Sequence, residues 1–435
     1  MSGLLRRHRD FRLLWCGETA GKFGASVTGV AMPLIAISTL DASTFEIGLL
    51  GAAAWLPWLL IGLPVGVWVD RIARRPIMLA AAGSSCVLFL AVPLAHWAGL
   101  LSIGLLLAIT LATGVSAVFF QTAYTAYLPS LVAPADRAEG NSKLHGSASA
   151  AQIAGVGAGG LIAQVAGAVN GMFVNAGTFL SSFLCLLGIR HREPAARADP
   201  ERHAERSLIG EINEGLRLVA RDPWLRAFAL FGGTANLGLI GLQSMQLVLL
   251  VREIGVGKGV VGSLIAAGAL GGVAGAFVSR RVSARIGTAR AFLVFEPGVT
   301  LFVLLIPLTT GGAGLILFVL GSFAMSAGVV ASNVIKASFQ QQYCPPRLLG
   351  RITASSQFVN YGTIPLGAVL AGTLGSTIGV RPTLWVMAAI IPASTLLLLL
   401  SPIRHCRDLP TAPTAQDVVE TGVEAAPTPS AVPRR

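Results

Sequence analysis

Runs of predominantly apolar residues, each about 20 residues long, recur along most of the chain. A helix of this length crosses the ~30 Å hydrocarbon layer of a bilayer, and the runs lack the period-two alternation of barrel strands. The pattern therefore predicts an all-α integral membrane protein with twelve transmembrane helices. The predicted helices lie at roughly 13–39, 45–69, 77–97, 100–126, 141–168, 170–189, 224–251, 259–280, 290–310, 312–337, 351–379 and 382–402.

Composition and charge support a membrane protein. Hydrophobic residues make up 54% of the chain and charged residues 12%, about half the share of a soluble domain. The net charge of +12 would suggest a nucleic-acid partner in a soluble protein. All but five of the 32 lysines and arginines, however, fall in the termini and in loops on one side of the membrane; the exceptions are Lys22, Arg252, Lys258, Lys336 and Arg381. This asymmetry predicts an inner or plasma membrane protein with both termini in the cytoplasm and no nucleic-acid partner.

The charge distribution also divides the chain into segments. We predict a six-helix half at 1–189, a cytoplasmic linker at 190–222, a second half at 223–403 and a disordered cytoplasmic tail at 404–435. Apolar residues at helical spacing in the linker predict an amphipathic surface helix over 207–220.

Two motifs recur with a single offset of 210 residues. Arg71 and Arg75 map onto Arg281 and Arg285, and RAEG at 137–140 maps onto RLLG at 347–350. Both matches fall at equivalent places in the predicted topology. They predict two pseudo-symmetric six-helix halves with a substrate site between them near the midplane.

The most specific motif lies between the second and third helices: Gly66, Asp70, Arg71, Arg74 and Arg75 in the pattern G-x-x-x-D-R-x-x-R-R. It resembles the signature loop of the major facilitator superfamily. The stretches at 11–24 and 345–372 further resemble bacterial efflux members of the macrolide-efflux and enterobactin-exporter type. The resemblance implies secondary transport by alternating access.

The same resemblance implies a conformational latch formed by this loop. Asp70 and its arginines would hold the two halves together at the start of the eleventh helix, about 349–353, when the transporter faces outward. A carboxylate near a helix N-terminus is favoured by the helix dipole, and glycine at 66 would allow close helix approach. The alternative is a solvated positive-inside loop, above all for Arg74. The second copy has Arg280 in place of Asp70.

Several ionisable residues fall inside predicted helices, and Glu18, Lys22, Glu296 and Lys336 are of most interest. Glu18 and Lys22 are four residues apart and share a face, so they are candidates for proton coupling; alternatively, they neutralise each other. We expect Glu296 to be structural or peripheral and Lys336 to extend to the cytoplasmic rim.

Polar residues within the helices are candidates for a substrate cavity, although each could equally form a helix–helix hydrogen bond. They are Gln121, Tyr124, Gln152, Asn236, Gln243, Asn333, Gln357, Asn360 and Tyr361. Small residues allow helices to pack closely in a membrane, and we assign that role to Gly155, Gly157, Gly159, Gly160 and Gly367.

The resemblance, together with these residues, favours proton-coupled efflux of a small amphipathic compound (a drug, an antibiotic or a siderophore-like metabolite) by a monomer. An uptake symporter or facilitator of the same fold is the alternative, and a membrane receptor or enzyme is less favoured. The sequence contains no Walker A or H-E-x-x-H motif, and its five cysteines show no C-x-x-C spacing. We therefore expect neither a cofactor nor a metal.

Overall fold

The computed structural model describes residues 4–133, 136–191, 208–344 and 346–411, and in this part of the chain each predicted apolar run forms a helix. The first six are α1 (Arg9–Ser38), α2 (Thr44–Arg71), α3 (Arg74–Trp97), α4 (Ile103–Leu131), α5 (Arg137–Ile162) and α6 (Gly171–Gly188). The second six are α7 (Pro223–Val248), α8 (Lys258–Ile286), α9 (Thr288–Thr300), α10 (Leu315–Tyr343), α11 (Pro346–Thr377) and α12 (Val380–Leu399). The prediction of twelve helices is confirmed.

Shorter helical segments connect or extend these helices. They are Leu4–Arg7, Leu208–Arg221, the π-helical turns Ala163–Gly167 and Leu249–Glu253, and the 3-10 turns Leu301–Leu305, Gly312–Gly314 and Pro402–His405. Eleven of the long helices are apolar enough to span a membrane over an 18-residue window. The remaining one, α11, carries polar residues such as Gln357 and Asn360 along its length.

Local sequence signals set several helix ends. Ser43 and Glu46 form a capping box at the start of α2, in which the Ser43 N–H donates to Glu46 Oε2 at 2.7 Å. Asp222 caps α7 by accepting the N–H groups of Trp224 and Leu225, each at 2.9 Å, and Pro223 occupies the first helical position.

The 210-residue repeat extends beyond the two motifs that revealed it. The offset carries Gly171–Gly188 to 381–398, and the observed helix is Val380–Leu399. It likewise carries Ile103–Leu131 to 313–341, and the observed helix is Leu315–Tyr343. The two halves therefore correspond helix by helix.

The linker and the tail are described only in part. The structure has a helix at Leu208–Arg221 where 207–220 was predicted, while residues 192–207 and 412–435 lie outside the described residues. The prediction of disorder from 404 onward is wrong for the first part of the tail. Asp408 Oδ1 accepts the Thr288 N–H at 2.9 Å and thereby caps α9, and the Arg407 carbonyl accepts the Ala289 N–H at 3.1 Å.

The bundle has two ends, which we name by their residues. The basic end carries the starts of the odd-numbered helices and the arginines that flank the loops at 72–73 and 287. The far end carries the loops at 39–43, 98–102, 254–257 and 378–379.

The two halves touch mainly where α2 crosses α11 and where α5 crosses α8. Toward the far end these crossings bring backbones together. A Cβ added to Gly48 would lie 2.7 Å from the Gly372 Cα, and one added to Gly160 would lie 2.5 Å from the Gly262 Cα. No side chain fits between the helices at these points.

The other glycines assigned to packing also lie against neighbouring helices. A Cβ on Gly155 would meet the Phe23 carbonyl oxygen at 2.6 Å, while Gly157, Gly159 and Gly367 face Ala266, Val27 and Leu237. Gly66 differs, since a Cβ there would meet no described atom within 4 Å. The expected close helix approach at Gly66 is therefore not observed among the described residues.

Candidate functional site

A cavity of about 540 Å³ lies mainly in the first half, where α1, α2, α3, α4 and α6 line it, and α7 of the second half closes one side. We call it the first cavity. Its aromatic lining consists of Trp55, Trp58, Phe89, Phe120 and Phe179. A large, mostly apolar cavity with a few polar groups suits a small organic ligand.

The charged part of the first cavity is formed by α1. Glu18 and Lys22 are one helical turn apart, and the Lys22 Nζ lies 3.5 Å from Glu18 Oε1. Nζ also donates a hydrogen bond to Gln121 Oε1 on α4 at 2.9 Å. The Glu18 side chain is only 4% exposed, so the ammonium offsets a carboxylate buried at membrane depth.

A second cavity of about 400 Å³ lies within the second half, between α7, α9, α10, α11 and α12. Its lining is more polar and includes Glu296, Lys336, Asn360 and Gln340. The expectation of a peripheral position for Glu296 is wrong, because its side chain is 4% exposed and faces this cavity. Lys336 also lines the cavity, whereas we had expected it to extend to the rim.

The nine polar candidates from the sequence divide between the cavities. Gln121 and Gln243 line the first cavity. Asn236, Asn333, Gln357, Asn360 and Tyr361 line the second. Tyr124 and Gln152 line neither: Tyr124 stacks on Phe120 with ring centroids 6.4 Å apart, and Gln152 is exposed.

Sequence reasoning missed the small hydroxyl residues of the first cavity, such as Ser85 and Thr113. Both donate hydrogen bonds to carbonyls of their own helix, Ser85 to Ala81 at 2.8 Å and Thr113 to Ile109 at 2.9 Å. Such bonds satisfy a hydroxyl in any membrane helix. Their spacing therefore carried no signal that separated the cavity lining from ordinary packing.

An aromatic cluster separates the two cavities. The Tyr361 ring, which lines the second cavity, lies 5.6 Å from the Trp55 ring and 5.8 Å from the Trp58 ring, both in the first. Such distances are typical of attractive aromatic pairs. Since Tyr361 is on α11 and the tryptophans are on α2, the contact also joins the two halves.

At the far end the halves are joined by what we call the far-end clasp, formed by Arg252, Asp41 and Ala42. Arg252 Nη2 lies 3.0 Å from Asp41 Oδ1 and donates to the Ala42 carbonyl at 2.7 Å. Asp41 has a φ of +48°, which is unusual for a residue other than glycine. Together with the glycine crossings, the clasp holds the halves together at this end.

At the basic end, the signature motif is described in part. The side chains of Asp70 and Arg71 lie outside the described residues, as do those of 346–351 opposite. Arg75 donates to the carbonyls of Leu186 at 3.1 Å and Leu187 at 2.8 Å, which caps the C-terminal end of α6 within its own half. Arg74 is half-buried at the start of α3.

Comparison with known proteins identifies the family to which this architecture belongs. A model described as Major Facilitator Superfamily matches residues 14–367. The multidrug efflux pump Tap of Mycolicibacterium fortuitum is 30% identical over 386 residues, which cover 85% of this chain and 90% of Tap. The enterobactin exporter EntS of Escherichia coli (strain K12) is 28% identical over 439 residues, which cover 95% of this chain and 97% of EntS.

Solved structures show the same fold at low sequence identity. The nucleoside transporter NupG has a TM-score of 0.72 and 11% identity, with 90% of this chain and 98% of NupG covered. A bacterial homologue of the lysosomal transporter Spinster has a TM-score of 0.67 and 17% identity, with 90% and 96% covered. Twelve helices in two corresponding halves, the signature motif and these matches lead to one conclusion: the chain belongs to the Major Facilitator Superfamily.

Proposed function

We propose that this transporter exports a small amphipathic compound from the cytoplasm, driven by proton influx. The observation that carries the proposal is the first cavity, which α7 of the second half closes on one side and which combines an aromatic lining with the Glu18–Lys22 pair. Both relatives are named as exporters, one of several drugs and one of enterobactin. A cavity that accepts varied apolar bodies and offers few polar contacts suits such a role.

Alternating access would rock the halves about the first cavity. The far-end clasp and the glycine crossings would separate when the cavity opens to the far end, and the signature motif would then close the basic end. Asp70, Arg71 and Arg75 are the proposed latch in that second state, with Gly66 and Arg74 beside them.

Proton coupling is assigned to Glu18 and Lys22. Export against proton influx requires that the cavity holds the ligand while Glu18 is ionised and paired with Lys22, and holds a proton once the ligand has left. Glu18 therefore takes up a proton when the cavity is open to the far end, which separates it from Lys22, and it releases that proton to the cytoplasm when the pair re-forms. Lys22 is suited to this exchange because its side chain is 40% exposed within the cavity, whereas Glu18 is buried.

The orientation follows from the charge asymmetry, with the basic end and both termini in the cytoplasm. The proposed boundaries remain 1–189, 190–222, 223–403 and 404–435, and the proposed state is a monomer. Cysteine labelling tests the orientation: a cysteine at residue 170 should react from outside intact cells and one at residue 200 only after permeabilisation. The reverse pattern would overturn it.

Transport in everted membrane vesicles tests the function. With the interior made acidic, we expect the vesicles to accumulate a fluorescent amphipathic dye, and we expect the accumulation to collapse when a protonophore removes the gradient. Vesicles without the protein are the control. Equal accumulation of the dye with and without the proton gradient would contradict proton coupling.

The second candidate is an uptake symporter or facilitator. NupG, a nucleoside transporter, has this fold, so the fold itself favours neither direction. In the same vesicles, a symporter would release dye as protons leave, and a facilitator would equilibrate the dye without concentrating it.

A further inference from the structure

The Lys336 ammonium lies in the second cavity. Among the described residues, no hydrogen bond and no ion pair within 4.0 Å reaches its Nζ. Lys22 in the first cavity, by contrast, has both Glu18 and Gln121 within reach. An ammonium at membrane depth is costly unless an anion or strong acceptors compensate it.

Space for a ligand beside this ammonium is provided by the second cavity itself, whose volume is about 400 Å³. At Gly232 of α7 the lining is filled by Asn360, because a Cβ built there would overlap the Asn360 Oδ1 and would lie 3.4 Å from Lys336 Nζ. The Asn360 Nδ2 donates to the Ser356 carbonyl at 2.6 Å, so the amide has a fixed orientation. Because Gly232 has no side chain, the Asn360 carboxamide and the Lys336 ammonium both reach this part of the cavity.

The repeat gives a reason why no described residue pairs with this charge. Moving by 210 residues carries Lys22 onto Gly232 and Glu18 onto Phe228. In the second half, α10 supplies the ammonium through Lys336, whose Nζ lies close to Gly232, the position equivalent to Lys22. The counter-ion at the position equivalent to Glu18 has become a phenylalanine, which is buried.

The remaining lining suits an anionic group. The carboxamides of Asn333, Gln340 and Gln357 line the same cavity and carry N–H donors that can reach ligand oxygens. Glu296 lines the cavity from α9, and its carboxyl group would oppose a bound anion rather than attract it. Tyr361 provides an apolar wall.

We propose that the second cavity binds the carboxylate of an amphipathic substrate at Lys336, with the apolar body of that substrate against Tyr361. This inference deepens the proposed export function, on which it rests, by naming the chemical class of the substrate as organic acids. The ammonium and the carboxamides recognise the acid group, and the aromatic wall accepts varied bodies.

Binding of a matched ligand pair tests the site. Full-length protein in lipid nanodiscs is dialysed to equilibrium against 2-naphthylacetate or the uncharged 2-naphthylacetamide, with empty nanodiscs as the blank. We expect the acid to bind about tenfold more tightly than the amide, as one charged hydrogen bond implies. Equal affinities would overturn the proposal.

Variants locate the preference. Lys336→Gln should reduce the acid-to-amide ratio to about one, and Lys336→Arg should retain it. Glu296→Gln should leave the ratio unchanged or raise it, whereas loss of the preference would show that Glu296 is itself a ligand and overturn the assignment. Lys258→Gln removes a positive charge outside both cavities and serves as the control.

The result does not depend on transport. If Lys336→Gln does not fold, a wild-type ratio of one still overturns the proposal, and so does loss of the preference in Glu296→Gln. A tenfold ratio in a protein that transports nothing would refute export and leave the acid site standing. A ratio of one in a protein that exports a dye would refute the acid site alone.

Discussion

Replacing Arg252 with glutamine should open the far end of the bundle. In the far-end clasp, Arg252 belongs to the second half and its two acceptors belong to the first. These contacts therefore stabilise only the state in which the halves are together at this end. The substitution removes the positive charge and shortens the side chain. The glycine crossings are left intact.

The two contacts are unequal. The Asp41 side chain is 98% exposed, and an ion pair with so exposed a carboxylate contributes little. Arg252 is 30% exposed, and its bond of 2.7 Å to the Ala42 carbonyl is a charged hydrogen bond, of a kind that stabilises by about 1.5–3 kcal/mol. Its loss should lower the ratio of closed to open far ends about 10- to 100-fold. Asp41→Asn should have a much smaller effect.

Electron–electron double resonance measures this equilibrium. Spin labels on His96→Cys and Ala313→Cys would stand on opposite halves at exposed far-end positions, in a chain whose five native cysteines have been replaced. We expect Arg252→Gln to shift the distance distribution toward longer values.

The control is Arg381→Gln. Arg381 also lies at the far end, but it bonds Glu253 and the carbonyls of Pro307 and Thr309, all in its own half. If the Arg252 and Arg381 variants give the same distribution as the unmodified chain, the clasp does not hold the halves together and the reasoning fails.

Three further predictions concern single residues. Glu18→Gln should remove the pH dependence of transport in proteoliposomes, and a wild-type dependence would exclude Glu18 as the proton site. Asp70→Asn should lower transport roughly tenfold in a protein that folds normally, because a charge is lost from a helix terminus; intact transport would refute the latch. Burial, and secondarily the nearby Asp222, raises the pKa of the Cys344 thiol to about 11. Its alkylation by N-ethylmaleimide, followed by mass spectrometry with exposed Cys16 as reference, should therefore keep rising above about pH 9, and a plateau below that would contradict the shift.

The helices could be predicted because their information is local. The length of an apolar run alone shows whether it can span a bilayer. The offset of 210 residues, found at Arg71 and Arg75, applies to every helix of a half. The signature motif is similarly contained in ten consecutive residues, 66–75.

The cavities could not be predicted in the same way, because helical spacing fixes which residues share a face but not what that face meets. Glu296 sits on α9, which is short and gives way to a 3-10 turn after Thr300, and its inward orientation depends on packing against α10. The partners of Arg75 are carbonyls 111 and 112 positions away, without any side-chain signal. Tyr124 has the same residue type as Tyr361 but lies outside both cavity linings.

The glycine crossings also affect the lipids. Where Gly48 meets Gly372 and Gly160 meets Gly262, the two seams between the halves are closed by backbone against backbone. An acyl chain is too wide to enter such a seam, so the leaflet around the far end is kept out of the first cavity although that cavity is largely apolar. In this state the packing of the helices therefore keeps membrane lipid from competing with the ligand for the first cavity.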